Sequence, residues 1–289
     1  MNFHKAAMAG TLPADFDQWG LRDSQGSTVA HIAAAYGHLP ENYGEWFLLD
    51  GIGRSVAHVA VHCGFLPESF TAWDFQDNFG ETVAHCAAIS NHLPPGFDRW
   101  ELADHDGKAV AHVAAQFGML PEKFDRWDLA DNEGNTVAHY AASFDGLPDD
   151  FNRWSLSNNK GDTVAHVAAE VGVLPASFNQ WQLADPKGET VAHTAAKNDK
   201  LPDHFDQWSL CDLAGWTVAH EAANKGRPPQ DCALWALKDN AGKSVADVAF
   251  SHPEKGYFFR AAYEAWRIGV EMKTPDSTRS AILRKNLLM

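Results

Sequence analysis

Apolar and polar positions repeat along this chain with a period of 27 residues. One unit reads Leu-Pro-x-x-Phe-x-x-Trp-x-Leu-x-Asp-x-x-Gly-x-Thr-Val-Ala-His-x-Ala-Ala-x-x-Gly-x. Nine units begin at Leu12, Leu39, Leu66, Leu93, Leu120, Leu147, Leu174, Leu201 and Pro228. Residues 1–11 are a half unit, with His4, Ala6, Ala7 and Gly10 in register. The histidine returns at His31, His58, His85, His112, His139, His166, His193 and His220, and Asp247 takes its place in the last unit. A period kept this strictly predicts an array of like structural units.

Within a unit the pattern predicts two short helices and a turn. Pro121 suits the first position of a helix, and Leu120, Phe124 and Trp127 share one face at i, i+4, i+7 spacing. Asp131 and Gly134 supply turn chemistry. Thr136 reads as the N-cap of a second helix, with His139 three residues on, where a capping box carries Glu or Gln. Ala138, Ala141 and Ala142 allow close helix approach, and a glycine such as Gly118 or Gly172 stops the helix. Such a unit cannot bury its own Phe, Trp and Val, whereas stacked units can. The expected fold is therefore all-α, a solenoid of helix–helix–turn repeats over residues 1–252. Residues 253–289 break the period. Tyr257, Phe258, Ala261, Ala262, Ala265, Ile268 and Met272 follow helical spacing, and Thr274-Pro275 opens a second helix. These helices are expected to form a C-terminal helical cap.

At Gly-x-Thr-Val-Ala-His-x-Ala-Ala-x-x-Gly the units resemble ankyrin repeats, whose hallmark is Gly-x-Thr-Pro-Leu-His-x-Ala-Ala-x-x-Gly. The turn in Asp131-Asn132-Glu133-Gly134 matches too. Gly242-Lys243-Ser244-Val245-Ala246-Asp247 resembles a closing ankyrin repeat. Val stands where ankyrins have Pro, and the unit is shorter than the usual ~33 residues. The resemblance implies a compact, divergent ankyrin-like α-solenoid. It also implies that Thr and His tie the helix start to neighbouring backbone, and that partners lie along a concave helix face and the turn tips.

Composition narrows the function. A formal charge of −15 disfavours nucleic acid and anionic lipid as partners. Cys63, Cys86, Cys211 and Cys232 occupy four different repeat positions, so no repeated disulfide or zinc framework is expected, and a reducing, cytoplasmic compartment fits. Met-Asn-Phe-His-Lys-Ala-Ala lacks the form of a secretory signal, and no apolar run reaches membrane-helix length. The region from Pro253 carries net charge +3, against −18 for the rest.

The histidine ladder invites a metal reading, but zinc needs several ligands at about 2.0–2.1 Å, and equivalent residues of stacked helices lie roughly 8–10 Å apart. Capping and bonding between units is the expected role. His38, His62, His92, His105, His204 and His252 show no spacing that suggests a site. Nucleophile-elbow, phosphate-loop and zincin motifs are missing from the sequence, so no enzyme activity, cofactor or metal is expected.

Copies disagree around the turn and after Ala-Ala. There Tyr36, Ile52, Phe79, Ile89, Phe117, Phe144, Val171 and Trp216 are apolar and are the candidate partner-binding residues. Ile52, Phe79 and Trp216 have no evident packing duty at a turn tip. Arg54, His105, Lys108, Glu133, Lys160, Lys187 and Lys225 form a polar rim. The expected function is a monomeric, non-enzymatic scaffold for a protein or peptide. The alternatives are an effector or regulatory protein that this array targets, with its activity in residues 253–289, and a self-associating structural rod.

Overall fold

A computed structural model describes residues 2–267. The helices are α1 (Phe3–Ala9), α2 (Val29–Ala35), α3 (Val56–His62), α4 (Val83–Ile89), α5 (Val110–Gln116), α6 (Val137–Ser143), α7 (Val164–Val171), α8 (Val191–Lys197), α9 (Val218–Asn224), α10 (Val245–Phe250) and α11 (Gly256–Arg267). The chain divides into two compact units at Asn159/Lys160. In the first, α1 to α6 pack consecutively; in the second, α7 to α11 do so. Among the described residues there is no strand beyond isolated bridges such as Ala130 with Thr136, and no helix is long and apolar enough to cross a membrane.

Each repeat contributes one short helix, not two, so only 33% of the described residues are helical. The segment expected to be the first helix folds as two separate turns. Phe124 N–H bonds to Pro121 C=O at 3.0 Å, and Leu129 N–H to Arg126 C=O at 3.3 Å, with the same pair of bonds at Phe16 and Leu21. Length does not decide this, because the helix that each repeat does form is also about seven residues long; that one has its open N–H groups capped by the Thr–His pair and by the carbonyls of the preceding turns. Spacing of three between Phe and Trp serves two turns as well as one helix. In the unit from Pro228 the segment does wind, into a 3₁₀ helix over Cys232–Ala236. There Ala233, Leu234 and Ala236 are good helix formers and Asp231 caps Ala233 N–H at 2.9 Å.

The aromatics of these turns hold neighbouring repeats together. In the first unit Phe16, Trp19, Tyr43, Trp46, Phe70, Trp73, Phe97, Trp100, Phe124, Trp127, Phe151 and Trp154 form a chain of edge-on contacts, with centroids 5.0–6.0 Å apart. The opening Val of each helix from α2 to α10 is fully buried, as are most of the paired alanines. Each such Val contributes about 1.5–3 kcal/mol by burial.

α11 packs on α10 through Tyr263 against Phe250 at 5.7 Å, and on Trp235 of the 3₁₀ helix through Phe259 at 6.1 Å and Tyr263 at 5.6 Å. The apolar face is thus out of phase with the expected one: Tyr257 and Phe258 are exposed. The helix expected from Thr274-Pro275 lies outside the described residues.

Candidate functional site

Two constant features position everything else: the helix start and the loop before it. At the start of α4, all four of the donors that a helix leaves open find acceptors. Val83 N–H bonds to Phe75 C=O at 3.0 Å and Ala84 N–H to Trp73 C=O at 3.1 Å. His85 N–H reaches Thr82 Oγ1 at 3.3 Å, and Thr82 N–H reaches His85 Nδ1 at 3.2 Å. The histidine therefore does the work of the Glu or Gln of a capping box. Its other nitrogen crosses to the next repeat, where Nε2 lies 2.8 Å from Lys108 C=O. The same crossing bond joins His31 to Arg54, His58 to Glu81, His112 to Asn135, His166 to Glu189, His193 to Trp216 and His220 to Lys243, at 2.9–3.1 Å. The histidines are struts between repeats. Among the described residues, no group of three or more His, Cys, Asp or Glu side chains could hold a metal ion.

In the loop, Asp131 Oδ1 accepts N–H bonds from Glu133 at 3.0 Å and Asn135 at 2.8 Å. Asp50, Asp77, Asp104, Asp185 and Asp212 do the same. Burial pushes the Asp50 carboxyl up, but these N–H bonds and the Arg54 guanidinium at 3.0 Å outweigh it and hold the group below the usual carboxylate range. These carboxylates are turn-formers already engaged by backbone.

One start lacks a cap side chain: Ala109 precedes α5, so His112 N–H has no hydroxyl acceptor. We expect Ala109→Thr to raise stability by about 0.5–1 kcal/mol, measured by urea unfolding.

The candidate partner-binding residues fall into three groups. Tyr36, Phe117 and Phe144 are the C-cap residues of α2, α5 and α6, while Ile89 and Val171 end α4 and α7; all five are exposed. Ile52 and Phe79 sit at loop tips, beyond the opposite end of the helices, with Phe79 63% exposed. Trp216 differs from expectation. It is half-buried, its indole N–H donates to Glu221 at 3.1 Å, its ring packs on His220 at 4.9 Å and Lys243 sits over it at 5.7 Å. It sits directly after Gly215, two residues beyond the loop tip, within reach of Glu221 on the helix that follows. Lys108 holds the equivalent place, over the Tyr140 ring at 5.1 Å.

The structure also shows features not anticipated. His38 and His92 stand two periods apart, and each bonds through Nδ1 to a carbonyl near the end of the previous repeat's helix, α1 for His38 and α3 for His92: Ala7 at 2.9 Å and Val61 at 2.8 Å. Their common register was visible in the sequence. Phe65 is half-exposed but leans on Gly37. Cys86 is an inert thiol, pushed up to about 12 by burial with Glu81 and Asp77 adding to it.

No protein-family model matches the sequence, and no curated protein does. This is a tandem-repeat protein with one short helix per unit of about 27 residues.

Proposed function

We propose that the chain is a non-enzymatic scaffold that holds a protein or peptide partner along its exposed helix ends and loop tips, and that its units are a compact form of the ankyrin architecture. The ankyrin part of the reading is supported by the Thr–His box, used in register to cap a helix and bond to the next unit, and it departs from that family in having one helix per unit. The binding part is carried by one observation. At the register following Ala-Ala-x, Tyr36, Phe117, Phe144 and Val171 present large apolar side chains to solvent, with Phe117 50% and Phe144 53% exposed. The equivalent places elsewhere hold Cys63, Ser90, Asn198 and Lys225, so the helix cap itself does not demand an apolar residue. Exposed aromatics of this kind are common anchors of interfaces.

The Phe79→Ala, Phe117→Ala, Phe144→Ala triple variant tests the reading. It is expected to keep the parent's circular dichroism and urea midpoint, because these side chains lie outside the core. Its capture of the partner from the native source should fall by at least tenfold, since each anchor is worth about 1–2 kcal/mol. Undiminished capture by a folded triple variant would place the interface elsewhere.

A further inference from the structure

The strut histidines are buried titratable groups held in a single protonation state. Toward Nδ1 points a main-chain N–H: Ser55 at 3.4 Å for His58, Thr82 at 3.2 Å for His85, Ala109 at 2.9 Å for His112 and Thr217 at 3.1 Å for His220. An N–H can only donate, so Nδ1 must be bare. Toward Nε2 points a main-chain carbonyl of the next repeat, which can only accept, so Nε2 carries the proton. The geometry fixes neutral imidazole in one tautomer. The cap hydroxyl also faces Nδ1, at 2.6–2.8 Å for His58, His85 and His220, and can turn to accept from an imidazolium, but the backbone N–H aimed at the same nitrogen cannot turn away, and His112 has no hydroxyl beside it.

We propose that this ladder makes the array an acid-triggered switch, in which protonation at Nδ1 opens the helix cap and the array unfolds with uptake of several protons just below neutrality. The inference does not depend on what the array binds.

The surrounding charges do not rescue the imidazolium. His58 is faced by Asp77, Arg54 and Asp50; His85 by Asp104, Lys108 and Asp77; His112 by Asp131 and Lys108; His220 by Asp239, Lys243 and Asp212. Each ring thus meets loop carboxylates, which favour its charge, and at least one cation, which opposes it. The ring neighbours add no compensating charge: Tyr140 beside His112 is pushed up to about 12, by burial first and Asp131 second. Burial is the largest influence on all four and outweighs the bond to the next repeat, so their affinity for protons falls below that of free histidine.

The sign follows from linkage. The unfolded chain binds these protons more tightly than the folded one. The stabilisation is complete above the unfolded histidine value of about 6.5 and is lost as pH falls below it. Below that value the unfolding constant rises roughly tenfold per pH unit for each such histidine, until the folded value is reached. Asp50, held low, titrates well below this window.

The full chain is to be unfolded in urea at pH values from 7.5 to 5, with ring ¹⁵N–¹H correlations recorded on the folded protein. The expected result is Nε2–H imidazole throughout the folded state, and an unfolding constant that rises well over tenfold between about pH 6.5 and 5.5. Rings that titrate near 6.5 while the chain stays folded, or a rise below tenfold, would overturn the proposal. A second variant, His58→Gln with His85→Gln, offers an amide oxygen in place of Nδ1 and an amide N–H in place of Nε2, neither of which titrates. Its pH dependence should be shallower by roughly a hundredfold per pH unit. A folded double variant as steep as the parent contradicts the proposal, and if the variant does not fold the ring spectra of the parent decide.

Discussion

Trp127→Ala is expected to lower the free energy of unfolding by about 3–5 kcal/mol, the usual cost of emptying a buried tryptophan site. Trp127 is 8% exposed and sits edge-on between Phe124 at 5.1 Å and Phe151 at 5.6 Å, the first in its own repeat and the second in the next. Its removal therefore opens a cavity at a junction between repeats, where neither side can close over it. Its carbonyl accepts the Ala138 N–H at 3.2 Å at the start of α6, so displacement of the turn also loosens a helix cap. The change is read by circular dichroism in urea. A loss under about 1 kcal/mol would mean that the aromatic chain is not what couples adjacent repeats.

Gly134→Ala is expected to cost about 2–4 kcal/mol, and Gly242→Ala only about 1–2. Both glycines have positive φ, +78° and +81°, so both substitutions carry the left-handed penalty. They differ in surroundings. A Cβ on Gly134 would lie 2.7 Å from the backbone nitrogen of Asn159, in the next loop, whereas a Cβ on Gly242 meets nothing within 4 Å. The contact at Gly134 is with backbone that is itself held: Asn159 N–H donates to Glu133 C=O at 3.0 Å and its side-chain amide to Asn132 C=O at 3.1 Å. The difference between the two variants, measured in the same urea series, isolates the energy of loop-to-loop approach. Equal losses would show that backbone conformation alone explains the repeated glycine.

Much of this was legible in the sequence because it repeats. The register of histidine, its partner Thr or Ser, the loop Asp and the glycine after it could be read from one unit and checked against the others. Their roles follow from local chemistry: an N-cap hydroxyl, a carboxylate bonded two and four residues on, a residue at positive φ. Tertiary choice was less legible. Spacing of three between Phe124 and Trp127 fits one turn of helix or two successive turns, and only the way the rings interleave with Phe151 and Trp100 decides between them. Trp216 looked like a free loop tip, yet its indole N–H finds Glu221, five residues on, a pairing that the other repeats do not prepare one for. In α11 the packed residues are Phe259 and Tyr263, where helical spacing pointed to Tyr257 and Phe258; the place of Trp235 decides which face is buried.

Each histidine fastens its own helix cap and the next repeat's loop at once. Hydrogen exchange on His85→Ala tests it most directly. Loss of the ring removes the acceptor of Thr82 N–H and the donor to Lys108 C=O. Exchange is expected to quicken both at the start of α4 and in the following loop, around residues 104–110, with the loop at Asp23–Ser27 unchanged. Faster exchange confined to α4, with the loop of the next repeat as protected as in the parent, would contradict it.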